Sequence, residues 1–344
     1  MRVGLRVRVE LRVRVELLGL PAAGVRPVPP GTPTIPPPCS AARWDTFPRV
    51  IVVGGEALID LVPVAQPPGA LVPRPGGGPY NTALALGRLG AEAAFCSRVS
   101  TDGFGESLLA GLRAAGVDLS LVQRGPEPTT LAVPSLAPDG SAAYEFYVEG
   151  TADRLFALPE ALPAGTRALA LGTCSLALEP GASAYEALLR RESGRGLLTL
   201  LDPNIRPALI ADPAAYRSRF LGWLPYVSVL KLSEEDARWL GGRVSDWLAA
   251  GPSAVVLTRG AQGLVVRTRE GDEYTAAARQ VVVADTIGAG DTVNAALLHR
   301  LSGPAGPAGG PVDWPGVLAY AAHAAALTCT RAGAEPPYAA ELSG

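Results

Sequence analysis

Asp291 follows Gly288-Ala289-Gly290, and the residues before that run, Gln280-Val281-Val282-Val283, have the apolar character of a strand. After it, Asn294-Ala295-Ala296-Leu297-Leu298 carries a helical pattern, so a glycine-rich turn is expected to lead from a strand end into a helix. With at most a methyl group in the way, the N–H groups of Gly288, Ala289 and Gly290 can point outward together at the positive end of the helix dipole, which makes an anion site. A carboxylate beside a bound phosphate is electrostatically unfavourable unless it has a task. The task that chemistry offers is to accept the proton of an attacking hydroxyl, so the turn reads as phosphoryl-transfer machinery with Asp291 as general base. The same carboxylate could instead cap the helix.

The elements that must position this turn begin at Val50, where Val50-Ile51-Val52-Val53 reads as a strand buried on both faces. Further strands are expected over Ala168–Leu171, Leu197–Leu201, Val227–Leu230 and Ala254–Thr258, with helices at Gly105–Ala115 and Tyr320–Thr330. The expected fold class is α/β: a doubly wound, mostly parallel sheet flanked by helices, with ligands gathered at the carboxyl ends of the strands. One region breaks the pattern. Thr130–Ala137 and Ala142–Val148 flank the turn residues Pro138-Asp139-Gly140 and read as an antiparallel pair outside the main sheet.

Residues 1–48 differ from the rest. Arg or Glu alternates with Val and Leu up to Leu18, and prolines crowd Pro21–Pro38, so this segment is expected to be a disordered or loosely attached extension dispensable for catalysis. Trimming to residue 48 is expected to leave activity intact. Residues 49–340 form the expected catalytic domain.

Composition excludes several classes. The 344 residues carry a net charge of −2 and no basic cluster in the main body, which argues against nucleic acid. No apolar run is long enough to span a membrane. Cys39, Cys96, Cys174 and Cys329 lack zinc or disulfide-framework spacing, which fits a reducing cytosol, and His299 and His323 form no metal pair. Gly-x-Ser-x-Gly is absent, and Gly54-Gly55-Glu56 after the first strand is not the dinucleotide fingerprint Gly-x-Gly-x-x-Gly.

The run Asp285-Thr286-Ile287-Gly288-Ala289-Gly290-Asp291-Thr292 resembles the C-terminal signature of the ribokinase-like (PfkB) sugar and nucleoside kinases, and Gly76–Gly90 resembles their N-terminal Gly-Gly-x-x-x-Asn-x-Ala segment. The resemblance implies an ATP- and Mg²⁺-dependent kinase, with lid strands within about 60–75 and 128–150. It implies sugar contacts from Asp60, Gly77, Gly78 and Asn81, and a role for Arg206 in Asp202-Pro203-Asn204-Ile205-Arg206 facing phosphate or sugar. Ser233 and Asp236 stand where the family has an Asn-x-x-Glu segment, so Ser233 is expected near the nucleotide and Asp236 near magnesium, with capping as the other use of both. Thr258, Gly260 and Gly263 match the nucleotide loop, and His323 lies where a residue near adenine would be. Asp285, Thr330 and Gly333 fall where related kinases hold K⁺, although Pro337 replaces a serine that would add an oxygen.

Within the family the pattern is most similar to fructokinases; ketodeoxygluconate, ribose or a nucleoside are the other expected acceptors, and a non-catalytic sugar-binding relative is the remaining alternative. Family members often dimerise through the lid. Ala143, Phe146 and Val148 would serve such a homodimer or cover the sugar.

Overall fold

A computed structural model of the protein describes residues 49–64, 69–136, 142–302 and 311–343. The expectations for residues 1–48 and for the turn at Pro138–Gly140 therefore lie outside the described residues. The chain begins β1 (Val50–Gly54), β2 (Leu58–Pro63), β3 (Leu71–Gly76), α1 (Gly78–Arg88), β4 (Ala93–Ser100), α2 (Gly103–Ala114) and β5 (Val122–Gly125). It continues through β6 (Leu131–Leu136), β7 (Ala142–Tyr147), β8 (Thr166–Gly172), α3 (Gly181–Ser193), β9 (Leu198–Asp202), α4 (Pro213–Trp223) and β10 (Val229–Ser233). Then come α5 (Glu234–Leu240), α6 (Val244–Ala250), β11 (Ala254–Thr258), β12 (Leu264–Thr268), β13 (Glu273–Ala276), α7 (Ala289–Ser302) and α8 (Trp314–Cys329).

Among the described residues, nine strands form one sheet in the order β13-β12-β11-β10-β9-β8-β1-β4-β5, parallel from β11 to β5, with β12 and β13 antiparallel at one edge. β1 shows why its apolar residues need helices on both sides. Ile51 and Val53 join the core beneath α1, α2, α7 and α8, whereas Val52 joins the core beneath α3, α4 and α6. Every second side chain thus leaves water on the opposite face.

The expected antiparallel pair is real and belongs to a second sheet, β3-β2-β6-β7. Its parallel pairing of β2 with β6, Ile59 opposite Leu131 and Asp60 opposite Ala132, brings Asp60 onto the same sheet as Phe146, which lies opposite Ala132 on β7.

One expected strand is absent. Gln280–Val283 is an unpaired extended segment, with Val282 89% and Val283 58% exposed. The hairpin β12–β13 already occupies that edge of the sheet, and the chain after Ala276 must cross back to α7. Gly263 allows this crossing to pass close, since a Cβ there would meet Ala276 O at 2.1 Å and Ala278 N at 2.6 Å. The anion turn is therefore a loop-to-helix junction, and Asp291 lies within the first turn of α7.

Candidate active site

Two cavities meet at the Gly288–Asp291 turn. A polar one of about 350 Å³ lies between the main sheet and the small antiparallel sheet, and a largely apolar one of about 380 Å³ lies beside β11, the 278–283 segment and α8. Thr286 and Gly290 line both.

On the polar side, Asp291 is buried at 8% exposure and accepts a 2.8 Å hydrogen bond from Asn81 Nδ2 through Oδ2. This contact exists because α1, entered at Gly77 with φ 105°, packs its first turns against α7. Asp291 Oδ1 lies 3.2 Å from the point where a Cβ on Gly78 would stand, so any side chain at 78 would crowd the carboxylate. Burial pushes the Asp291 carboxyl up to about 7, with the Asp202 charge adding to the rise, while the Asn81 hydrogen bond and the Lys231 and Arg206 charges oppose it. A carboxylate held there is matched to proton transfer near neutral pH.

Asp60, at the far wall, is likewise raised by burial to about 6, with Arg206 pulling the other way. Its place depends on Gly76 across the β2–β3 pair, where a Cβ would lie 2.0 Å from Asp60 Oδ2. Arg206 donates through Nη1 to the side-chain oxygen of Asn204 at 2.8 Å, which steadies the guanidinium at the cavity. Gly77 and Gly78 line the same cavity, as does Phe146, which places at least one of the three apolar lid residues over the pocket.

The side-chain chemistry at 202, 231 and 294 was not foreseen. Lys231, on β10, donates at 2.8 Å to Asp202 Oδ2 at the end of β9, and Asn294 Nδ2 of α7 donates to the same oxygen at 2.7 Å. Burial disfavours the ammonium, but Asp202 and then Asp291 outweigh it and hold the Lys231 pKa above its ordinary value. Its Nζ lies 3.1 Å from the Cβ position of Gly290, so a permanent positive charge stands against the anion turn. Lys231 is the only lysine among the 30 lysine and arginine residues. Glu56, Thr173 and Asn204 also line the cavity.

On the apolar side, Thr258, Gly260 and Gly263 line the wall at the β11–β12 hairpin, facing Ala322, Ala325 and Cys329 of α8. The exposed Gln280–Val283 segment supplies Val281 and Val283 to the same cavity, which gives its apolar residues a use that strand pairing does not.

Residues 49–340 match the pfkB family carbohydrate kinase model. The chain belongs to this family. It is 38% identical over 262 residues to a fructokinase of Rhizobium leguminosarum bv. trifolii, covering 73% of this chain and 79% of that protein. Among solved structures, it is similar to fructokinase with bound ATP from Xylella fastidiosa, with TM-score 0.75, 26% identity and coverage of 86% of this chain and 98% of that one. It is also similar to a fructokinase double mutant from Vibrio cholerae O395 in a fructose, ADP and potassium ion bound form, with TM-score 0.74, 27% identity and coverage of 86% and 97%.

In this carbohydrate kinase, several of the expected residues do not line either cavity. Ser233 and Asp236 form a capping box at the start of α5: Ser233 Oγ accepts from Asp236 N at 3.0 Å, and Asp236 Oδ2 accepts from Ser233 N at 3.1 Å. Asp236 Oδ1 also accepts from Ile205 N at 2.8 Å. Neither residue lines either cavity, and both serve in the cap of α5. Among the described residues no group of three His, Cys, Asp or Glu side chains is placed to hold a metal ion. His323 does not line the apolar cavity, although its neighbour Ala322 does; burial and the nearby Arg279 charge hold its pKa below the usual value.

Asp285 and Gly333 are joined directly, Gly333 N donating to Asp285 Oδ2 at 2.9 Å. Thr330 caps α8 next to them and donates through Oγ1 to Leu327 O at 2.7 Å. The kinase has no helix among the described residues long and apolar enough to cross a membrane.

Proposed function

We propose that this kinase is an ATP-dependent fructokinase that converts fructose to fructose 6-phosphate. The observation that carries this reading is the placement of Asp291 and the Gly288–Gly290 turn between a polar cavity that fits a sugar and an apolar one that fits a nucleobase. Fructose is favoured over other sugars by the fructokinases among the relatives.

The sugar sits among Asp60, Asn81 and Arg206, with its acceptor hydroxyl at Asp291. Asp291 takes the hydroxyl proton as the oxygen attacks the γ-phosphate. The backbone N–H groups of Gly288, Gly290 and Asp291 and the Lys231 ammonium oppose the negative charge that builds on the transferring group, whereas Ala289 N donates to Thr286 O at 3.3 Å. Phe146, which lines the polar cavity, shields the acceptor from water, which would otherwise compete with it.

A divalent ion, Mg²⁺ in this reading, would neutralise phosphate charge, and the donor set makes it arrive held by nucleotide phosphates and water, since both Asp236 oxygens accept from protein donors. The Asp285–Gly333 contact supports a K⁺ site at the end of the anion turn. Replacing K⁺ by a large organic cation is then expected to lower kcat, and equal rates in both salts would remove that site.

The deciding experiment is a coupled ADP-release assay with ATP and a panel of fructose, ribose, ketodeoxygluconate and nucleosides. Fructose is expected to show the highest kcat/KM. Arg206 at the cavity makes the acidic sugar ketodeoxygluconate the second choice, and a preference for a nucleoside would overturn the assignment.

A further inference from the structure

Glu56 lies in the link between β1 and β2, is 2% exposed and lines the polar cavity. Its carboxylate accepts from the hydroxyls of Thr173 and Ser175 and from Ser175 N at 3.1 Å. These partners are all neutral. Burial therefore dominates and raises its pKa, the hydroxyl groups oppose the rise and the nearby Asp153 carboxylate adds to it. An acid kept in such a place is costly, and the phosphoryl-transfer steps give it no proton to move.

What Glu56 grips is strained. Thr173, directly after β8, has φ 63°, a left-handed conformation that a β-branched residue rarely adopts. Its Cγ2 lies 2.6 Å from the Cβ position of Gly78, and Asp291 Oδ1 lies 3.2 Å from that same point. Thr173 is thus the cavity wall beside the base. The backbone of Glu56 meets the other side of the sugar signature, its O lying 2.8 Å from the Cβ position of Gly77. One residue therefore touches both turns that bound the reacting end of the polar cavity.

We infer that Glu56 is a positioning residue: by holding Thr173 in its left-handed conformation, it sets the wall that aligns the acceptor hydroxyl on Asp291. A carboxylate suits this role because it only accepts, and so can take two hydroxyls and an N–H at once. A glutamine would turn an NH₂ group toward one of those donors. The inference rests on the kinase reading of the site but not on which sugar is phosphorylated.

The test measures steady-state kinetics of E56Q, T173G and E56Q/T173G with whichever sugar the wild type turns over fastest. E56Q is expected to lose about 10- to 100-fold in kcat/KM for the sugar, the scale of a misplaced reacting group, with KM for ATP unchanged. Glycine adopts positive φ without help but removes the Thr173 wall, so T173G should show the same loss, and adding E56Q to it should cost nothing further because Glu56 acts through Thr173.

A further loss on adding E56Q to T173G, wild-type kinetics in E56Q, or an equal rise in both KM values would overturn the inference. If E56Q does not fold, T173V carries the test. It keeps the shape of the side chain but removes the hydroxyl that Glu56 grips, and it should show the same selective loss; wild-type kcat/KM in T173V would overturn the role. A wild type that phosphorylates no sugar refutes the proposed function instead, whereas an active wild type with an unaffected E56Q refutes only the role of Glu56.

Discussion

The two cavities that share Thr286 and Gly290 are built on opposite principles. The polar one is walled by buried groups that hold each other in place: Asn81 on Asp291, and Lys231 and Asn294 on Asp202. The apolar one is walled mostly by alanines, valines and glycines, with Thr258, Arg279, Gln280 and Thr286 as its polar members. Directional hydrogen bonds discriminate among hydroxyls and set a reacting oxygen, because a mismatched ligand leaves a buried polar group unpaired. An apolar slot stacks a flat base but distinguishes poorly between bases. The difference predicts that substitutions on the polar side change turnover and sugar use by large factors, whereas those on the apolar side change nucleotide KM by small ones.

The largest expected effect is at Asp291. Asp291→Ala should lower kcat by about 10³- to 10⁴-fold, the upper range for loss of a general base, while calorimetric ATP affinity stays near that of the wild type. Near wild-type turnover would remove the base from the mechanism.

Lys231→Met comes next, with an expected drop in kcat of about 10²-fold from the lost charge at the anion turn. It should also destabilise the fold by about 3–5 kcal/mol, because Asp202 is left as an unpaired buried charge. The double variant K231M/D202N should regain most of the melting temperature but not the turnover. Recovery of both would make the pair purely structural.

The pH dependence probes the same side of the molecule. Asp291 must be ionised to act and its carboxyl is raised to about 7, so log kcat/KM for the sugar should fall with slope near one below about pH 7 and level off above it. Stability runs the other way. The native carboxyl binds its proton more tightly than the unfolded one, which titrates near 3.8, so the protonated form favours folding. That contribution is fully present below about pH 4 and is lost as pH rises through about 7. Wild type should therefore lose melting temperature relative to Asp291→Asn across that window, and a pH-independent difference would contradict the raised pKa.

Asp60→Asn is expected to raise KM for the sugar by about tenfold with a smaller change in kcat, the signature of a lost substrate hydrogen bond. The smallest effect belongs to the apolar cavity. Ala325→Leu, which adds three carbons to its wall, should raise KM for ATP by only about two- to fivefold and leave KM for the sugar untouched. A large change in sugar KM would show that the two cavities are not independent.

Much of this arrangement was legible beforehand. The glycine turn with Asp291, the distant Gly77-Gly78-Asn81 segment and the strand at Ala254–Thr258 all stand where their residue types indicate, because glycine tolerance and apolar runs are local properties. Gln280–Val283 misled for the same reason. Three valines satisfy a strand pattern, but whether a strand forms depends on where the chain must run next, and after Ala276 it passes close to Gly263 on its way to α7 instead of pairing with the sheet. Ser233 and Asp236 admit both a capping and a ligand reading, and the N–H groups of Ser233 and of Ile205, the latter from a different strand end, show where the carboxylate points.

By itself, the sequence determined which chemistry is available here and the order in which its parts occur: a carboxylate behind a glycine turn, a second glycine segment far upstream, and apolar strands able to form a sheet covered on both faces. Only the tertiary structure decided that Lys231, Asp202 and Asn294 meet, that Glu56 clamps Thr173, and that one turn divides a polar cavity from an apolar one. The physical reason is range. Turn propensity and hydrophobic period act over a few residues, whereas these encounters follow from the parallel register of β8, β9 and β10 and the packing of α7 beneath them, which no local pattern encodes.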